Sequence, residues 1–228
     1  MRYFLASSIL PLIAALCLLA QAPVTPANDD ASASATRGMP ARATPADYQA
    51  HGAAGPLQVG AEFMQHSVPT PQGLLSTEDY VVVEAGLFGP PGSRTTLSFQ
   101  DFSLRINEKK NPQRSDPYAL VFKSLKDPEW EADTFVEQKA SKTSIGSSGA
   151  GGKGGGAAGD PPPVVHVPIK LQREWEARAT KAAFPEGDRS LPQAGLLFFQ
   201  YRGKASGIHS LELIYSGPSG KAVLSLNP

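Results

Sequence analysis

The run Gly146 to Pro163, GSSGAGGKGGGAAGDPPP, combines glycines with one lysine, a composition that can cradle phosphate. A phosphate-binding P-loop needs G-x-x-x-x-G-K-[ST] between a strand and a helix, with the final hydroxyl on magnesium. Here Ser147 stands at the first glycine of that spacing, and Gly154 stands where the hydroxyl is required. Three prolines follow in place of a helix start. The run is therefore interpreted as a flexible tether leading into a stiff polyproline spacer.

The other residues with catalytic chemistry lack the spacing that such chemistry needs. A serine nucleophile elbow requires G-x-S-x-G after a strand, and the run beginning at Gly146 has Ala150 at its last place. The four histidines lie far apart, with no i, i+4 pair of the kind that ligates zinc on a helix. We therefore expect no catalytic residue, no cofactor, no metal and no enzymatic activity.

Acidic side chains alternate around Trp130, in the order Asp127, Glu129, Glu131 and Asp133. Such carboxylates can gather calcium or frame a tryptophan on which a sugar ring stacks. The Asp-x-Asp-x-Asp-Gly pattern of a calcium loop is absent, and charged clusters on loops are usually solvated. Two interpretations follow. The segment is an exposed acidic turn, or it belongs to a carbohydrate-binding or hydrolytic domain in which Trp130 and at least two carboxylates share a pocket.

One helix is predicted in the chain after the apolar N-terminus, at Lys170 to Phe184 (KLQREWEARATKAAF). Leu171, Trp175 and Ala179 recur at helical spacing on one stripe, and Pro185 ends the pattern. The stripe either docks on the rest of the chain or binds a partner from a flexible arm, with Trp175 as its anchor. The candidate partner-binding residues are Trp130, Leu171 and Trp175.

Strand signals fill the rest of the chain from residue 57 onward. The strongest is Asp79 to Phe88, DYVVVEAGLF, which is rich in β-branched and aromatic residues and is followed by a Gly-Pro-Pro-Gly turn. Residues 118–125 fit a strand or a short helix equally, since periodicity alone does not separate the two. Further strands are predicted at 57–66, 95–99, 102–106, 164–169, 196–201, 208–215 and 221–226.

The N-terminal residues predict export. Arg2 precedes an apolar run from Leu5 to Ala20, and Ala20-Gln21-Ala22 gives a small-x-small cleavage pattern, so residues 1–22 are interpreted as a signal peptide. Ala27 offers an alternative cleavage site. The run is shorter than the about 20 apolar residues of a membrane span. No stable span is expected after cleavage, and the protein is placed in the periplasm or outside the cell.

Composition favours a soluble, redox-inert exported chain. Cys17, the only cysteine, lies within the apolar run and follows a leucine, whereas a lipid anchor prefers a small residue there. Lysine and arginine number 21, as do aspartate and glutamate, and no basic block is present, so nucleic acid is not an expected partner. Residues 23–56 are rich in alanine, proline, threonine and serine and predict a disordered leader, with one helical turn capped by Thr44.

The strand-rich parts, 57–126 and 186–228, together have about the length of a seven-stranded immunoglobulin-like sandwich, roughly 100 residues. Neither part alone has enough strands for a sandwich. The fold class predicted is therefore mainly β: one antiparallel immunoglobulin-like β-sandwich over 57–228, interrupted by an insertion at 127–185. That insertion would hold the acidic segment, the Gly/Pro-rich run and the helix.

Four motifs carry a resemblance to a known family: DYVVVEAGLFGPP, DFSLRINEKK, LPQAGLLFFQYRG and SLELIYSGPSGKAVLSL. They resemble an exported bacterial family of unknown function with an immunoglobulin-like, telokin-like fold. The resemblance covers about half of the chain, and its motifs are structural. It implies a β-sandwich and a location outside the cytoplasm, whereas it implies no activity. The insertion at 127–185 departs from the family pattern.

These observations predict a noncatalytic exported module that binds a protein or cell-envelope partner. Sheet edges and loops of such sandwiches are available interaction surfaces. A permanent structural part of a larger envelope assembly is a further interpretation, which differs in stoichiometry. The alternative from another class is the carbohydrate-binding or hydrolytic domain built around Trp130.

Overall fold

The computed structural model describes residues 37–130 and 167–228, and within them the chain is mainly β. The signal peptide predicted at 1–22, Cys17 and the glycine run lie outside the described residues. No helix in the described ranges has the length and apolar character needed to cross a membrane. The strands are β1 (Ala50–Ala54), β2 (Leu57–Phe63), β3 (Ser67–Thr70), β4 (Gly73–Thr77), β5 (Tyr80–Phe88), β6 (Arg94–Leu97), β7 (Phe102–Ile106), β8 (Gln113–Arg114), β9 (Leu125–Lys126), β10 (Gly187–Ser190), β11 (Gln193–Gln200), β12 (Leu211–Gly217) and β13 (Gly220–Leu226), and helix α1 spans Ile169–Ala182.

Two four-stranded antiparallel sheets form the body of the molecule. The first sheet has the strand order β1-β2-β5-β11, and the second sheet has the order β13-β12-β7-β8. Side chains on alternate positions point between the sheets, as Phe102, Leu104 and Ile106 do in β7. They share one core with Val83 and Phe199 of the first sheet. The mainly β, antiparallel prediction is confirmed, and inner faces that pack together are the arrangement of a β-sandwich.

The first sheet is covered on its other face as well. All nine residues of β5 are buried, since Val81 and Val83 face the core between the sheets while Val82 faces a second core. The second core lies against α1 and the small sheet β3-β4-β9. Burial on both faces explains why the sequence of β5 is apolar at nearly every position instead of alternating, with the ion-paired Glu84 as the exception.

Helix α1 closely matches the predicted helix at 170–184 and ends two residues earlier, at Ala182. Trp175 and Ala179 are almost fully buried in the second core, so the apolar stripe docks on the first sheet. Of the two interpretations of this stripe, docking on the rest of the chain is the one that the structure shows. The described ends of the predicted insertion 127–185 therefore pack against the strand framework.

Residues 37–56 belong to the fold, in contrast to the disordered leader predicted for 23–56. Strand β1 pairs with β2 along its whole length, and Tyr48 is only 4% exposed. A Cβ on Gly60 or Gly86 would lie 2.5 Å from Tyr48, so the tyrosine lies against the strands where they lack side chains. The composition predicted disorder because the segment has few large apolar residues. Tyr48 and the small residues of β1 are nevertheless enough to order residues 37–56, because the first sheet supplies the surface on which they pack and pair.

Two further segments differ from the strands proposed for them. Residues 118–125 contain short 3-10 turns at Tyr118–Leu120 and Phe122–Ser124, which settles that alternative in favour of helical turns. The strand predicted at 164–169 is not seen in its described residues, because Pro168 precedes the first turn of α1. Proline fits that place, since the first helical N–H groups have no intrahelical acceptor.

Candidate functional site

Trp130 and Trp175 lie together, and their contact is internal to the molecule. Their ring centroids are 5.9 Å apart with the planes at 75°, an edge-to-face arrangement. Trp175 is 2% exposed, whereas Trp130 is half-buried against the second core. Leu171 is partly buried at the same core. The three predicted partner-binding residues are thus brought together at the second core, with Trp175 almost fully buried there.

The described part of the acidic segment, residues 127–130, is folded against α1. The Asp127 carboxylate lies 3.4 Å from Arg178 and also accepts a hydrogen bond from the backbone N–H of Glu129 at 3.0 Å. The backbone N–H of Trp130 donates to the carbonyl of Asp127 at 3.1 Å, which closes the turn. Asp127 is therefore neutralised by Arg178, while Glu131 and Asp133 lie outside the described residues. Within the described ranges, no group of three or more His, Cys, Asp and Glu residues could hold a metal ion.

An ion network attaches the N-terminal segment, residues 37–48, to the outer side of the first sheet. Arg42 lies 2.5 Å from the Glu62 carboxylate and 2.9 Å from the Glu84 carboxylate. Its guanidinium carbon is 4.5 Å from the centroid of the Tyr48 ring. Burial raises the pKa of the Tyr48 phenol, and the negative charge of Glu84 raises it further. Each charge in this network has a partner inside the chain, so we assign it a structural role.

The open surface lies on the second sheet, on the side away from the core. Along β7, β12 and β13, every second residue points away from the core. These outward residues form the outer face, and they are exposed or half-exposed. Cross-strand register places Val223 beside Ile214, and Ile214 beside Ser103. Val223 is 61% exposed. The outer face consists of Ser103, Arg105, Arg114, Glu212, Ile214, Ser216, Lys221, Val223 and Ser225.

A groove of about 440 Å³ lies at one end of the outer face. It forms where the 3-10 turn Phe99–Asp101 leads into β7 and where β8 ends, at Arg114, beside the start of that strand. Tyr215 pairs with Phe102, so the next residue of β12, Ser216, lies beside Asp101. The groove is lined by Gln100, Asp101, Ser103, Pro112, Arg114 and Ser216.

Asp101 is the distinctive side chain of the groove. Burial raises the pKa of its carboxyl above the ordinary value for aspartate. The pKa of the buried Tyr215 phenol is also raised, chiefly by burial and additionally by the charge of Asp101. Within the described residues, the Asp101 carboxylate and the Arg114 guanidinium have no side-chain hydrogen bond or salt bridge. By contrast, Arg105 and Glu212 on the same face are paired at 2.6 Å.

Sequence reasoning identified the strand that carries this groove but not the groove. The alternation in Phe102 to Ile106 correctly separated inward Phe102 and Leu104 from outward Ser103 and Arg105. The position of Asp101 next to Ser216 depends on pairing between strands more than 100 residues apart in the chain, so no local pattern signals it. The one available signal was the run Ser98 to Asp101 (SFQD), in which three of four residues are polar, just before the strand that begins at Phe102.

The side chains of the groove are suited to binding a polar group. Among the six groove residues, Asp101 is the one carboxylate, and general acid–base hydrolysis of a glycoside uses two. The hydroxyls, amide and charges of the lining can hold a polar group in place. Comparison of the chain with protein-family models, with curated proteins and with solved structures found no match.

Proposed function

We propose that this protein is a noncatalytic, exported, immunoglobulin-like module that binds a protein partner of the cell envelope through the outer face of its second sheet. The observation that carries the proposal is the difference between the two sheets. In the first sheet the strands β5 and β11 are buried on both faces, whereas the second sheet keeps an outer face with exposed side chains and a polar groove. A sheet face of this kind offers a rigid surface for a partner.

The composition of the outer face supports protein binding. Ile214 and Val223 form an apolar pair, and the Arg105–Glu212 pair and Lys221 lie around it. Protein interfaces commonly have an apolar centre within a polar rim. The rim charges on such surfaces contribute more to the rate and specificity of association than to affinity.

Export and the immunoglobulin-like class are parts of the same proposal. The apolar run after Arg2 and the small-x-small pattern at Ala20-Gln21-Ala22 support a signal peptide. The four motifs that resemble the exported telokin-like family lie on β5, β7, β11 and the β12–β13 hairpin. Those strands make up half of the first sheet and three of the four strands of the second, which is consistent with a shared sandwich architecture.

The experiment that tests this proposal is site-specific photo-cross-linking in the producing cell. A photoreactive amino acid replaces Val223 on the outer face, and a matched chain carries it at exposed Ala177 of α1. We expect one discrete adduct at position 223, its loss when Ile214→Lys is added, and no such adduct at position 177. An adduct at position 177 alone, or one at 223 that survives Ile214→Lys, would contradict the proposal. Fractionation of the same cells tests export, which is refuted if the full chain stays in the cytoplasm.

The two other functions receive less support from the geometry. The carbohydrate-binding or hydrolytic alternative needs Trp130 and carboxylates that are free for a ligand, but Trp130 packs on Trp175 and Asp127 pairs with Arg178. A protein that is a permanent part of an envelope assembly would use the same outer face, and it would differ from the proposed binding module in having a fixed stoichiometry with its partners. Solution size at low protein concentration separates that assembly from reversible binding.

A further inference from the structure

We propose that the groove beside Asp101 receives a basic side chain, lysine or arginine, from the protein partner that docks on the outer face. The inference rests on the proposed function and adds the chemistry of one contact. It follows from charge, burial and hydrogen-bonding capacity in the groove.

The first argument is the state of the Asp101 carboxylate. It is half-buried, lines the groove, and within the described residues has no hydrogen-bond or salt-bridge partner. Removing a charge from water without supplying a partner is unfavourable. A cation from the partner would remove that cost at the moment of binding, and charge-assisted hydrogen bonds are stronger than neutral ones.

The second argument is the acceptor set around that carboxylate. Ser103, Ser216 and Gln100 line the same groove, and their hydroxyl and amide oxygens are hydrogen-bond acceptors. An ammonium group has three donors and no acceptor, and a guanidinium has five donors. Asp101 with these neutral oxygens can therefore satisfy several donors of one basic side chain.

The third argument decides the sign of the ligand charge, because Arg114 also lines the groove. Arg114 is exposed to solvent, while Asp101 is half-buried. Attraction at an exposed charge is weakened by water and salt, and attraction at a desolvated charge is weakened less. The groove therefore selects a cation at Asp101, and Arg114 opposes it weakly from the rim.

The apolar pair beside the groove indicates what accompanies the basic group. Ser103 lies next to Ile214 in the sheet, and Ile214 lies next to Val223. A lysine or arginine has an apolar stem that packs on such a surface while its head reaches a charge. A side chain crossing Ile214 toward Asp101 would bury its stem and pair its head.

The test is a titration of the chain purified from the producing cell with a capped pentapeptide, acetyl-Gly-Ser-Lys-Ser-Gly-amide, followed by amide NMR. Peptides with norleucine or glutamate in place of the lysine serve as matched ligands. We expect saturable shifts of the amide signals of residues 100–103 and 216, with a dissociation constant of about 1 mM, which is weak binding. Norleucine and glutamate peptides should leave those amides unshifted.

Two groove variants give opposite expected results. Asp101→Asn should weaken lysine-peptide binding at least about fivefold, while Arg114→Gln should strengthen it up to about twofold, since one removes an attraction and the other a repulsion. Arg105→Gln, on the same face but outside the groove lining, should leave binding unchanged. Tighter binding of the glutamate peptide, or no effect of Asp101→Asn, would overturn the inference.

The two proposals fail in different ways. If cross-linking at position 223 captures a partner but the lysine peptide does not bind at residues 100–103, the basic-group inference is wrong and the docking face stands. If the peptide binds in the groove but no adduct forms at position 223, the groove chemistry stands and the protein-binding face is wrong.

Discussion

Asp101 shows how one side chain can weaken the fold to which it belongs. Burial raises the pKa of its carboxyl, so the folded protein binds a proton there more tightly than the unfolded chain does. Such a group opposes folding when it is ionised and does not when it is protonated. Positions of this kind are common at binding sites, where local stability is exchanged for function.

We predict that Asp101→Asn increases the free energy of unfolding at neutral pH by less than about 1 kcal/mol, because the group is only half-buried. The sign follows from the raised pKa: the penalty is absent below the ordinary aspartate value of about 3.9, grows as pH rises above that value, and is complete once pH has passed the folded-state pKa. Urea denaturation of both chains at pH 7 and pH 3 measures it. Asp188→Asn, at an exposed ion pair, is the control. A gain of the same size at pH 3 would refute this explanation.

Arg42 and Glu84 provide a second prediction at the residue scale. The Glu84 side chain is 6% exposed and Arg42 is its salt-bridge partner, so Arg42→Met leaves a buried carboxylate without a cation. We expect a loss of about 3 kcal/mol in the free energy of unfolding, a size typical of breaking a buried pair. Adding Glu84→Gln to Arg42→Met should recover part of that loss. A double variant no more stable than the single one would show that the charge of Glu84 is not the cause.

Helix α1 is held by side-chain packing against the second core. Trp175, Ala179 and Ala182 are buried, and the Trp175 ring is covered in turn by the edge contact of Trp130. The Trp175 Nε1–H is buried without a hydrogen-bond partner in the described structure. An unpaired donor in a core reduces the gain from burying the ring. The helix is therefore stabilised by the apolar area that it buries and by close packing, and the unpaired Trp175 Nε1–H reduces this stabilisation.

We predict that Trp175→Ala lowers the free energy of unfolding by about 3–5 kcal/mol, as expected for an aromatic ring removed from a core. Trp175→Phe should cost less than half as much, since it keeps most of the packing and removes the unpaired N–H. Glu174→Ala, at the exposed neighbouring position, serves as the control. Equal losses for alanine and phenylalanine would contradict this account.

Prediction from sequence succeeded for elements whose pattern is local and failed for those that depend on a neighbour. Strand β5 and helix α1 carry strong apolar signals and were located within a few residues. Strand β1 (AHGAA) and strand β10 (GDRS) carry no such signal. They form because β2 and β6 supply hydrogen-bonding edges. The groove was missed for the same reason, since strand register brings its sides together.

At the scale of the whole molecule, the first sheet joins both cores. Strand β5 contributes Val81 and Val83 to one core and Val82 to the other, so we expect the two cores to unfold together. Both tryptophans lie beside the second core, whereas the strands are spread through both sheets. Fluorescence and circular dichroism therefore report different layers.

We predict a single cooperative unfolding transition in urea, with the same midpoint by tryptophan fluorescence and by far-ultraviolet circular dichroism. Shared strands couple the layers, and coincidence of two probes is the usual test of two-state behaviour. The fluorescence signal comes from Trp130 and Trp175, the only tryptophans in the chain. An earlier fluorescence midpoint would mean that the α1 layer separates before the sandwich unfolds.

The N-terminal segment, residues 37–48, also limits how the chain can be processed. The backbone N–H of Gly38 donates to Lys181 at the end of α1, and Met39 bridges to Ala194 in β11. Arg42 follows with its two carboxylate partners. A protease that trims the N-terminus can remove residues before Arg37 without touching these contacts. Cleavage just after Arg42 would leave the carboxylates of Glu62 and Glu84 without their cation, and cleavage after Tyr48 would also expose the strip of sheet around Gly60 and Gly86.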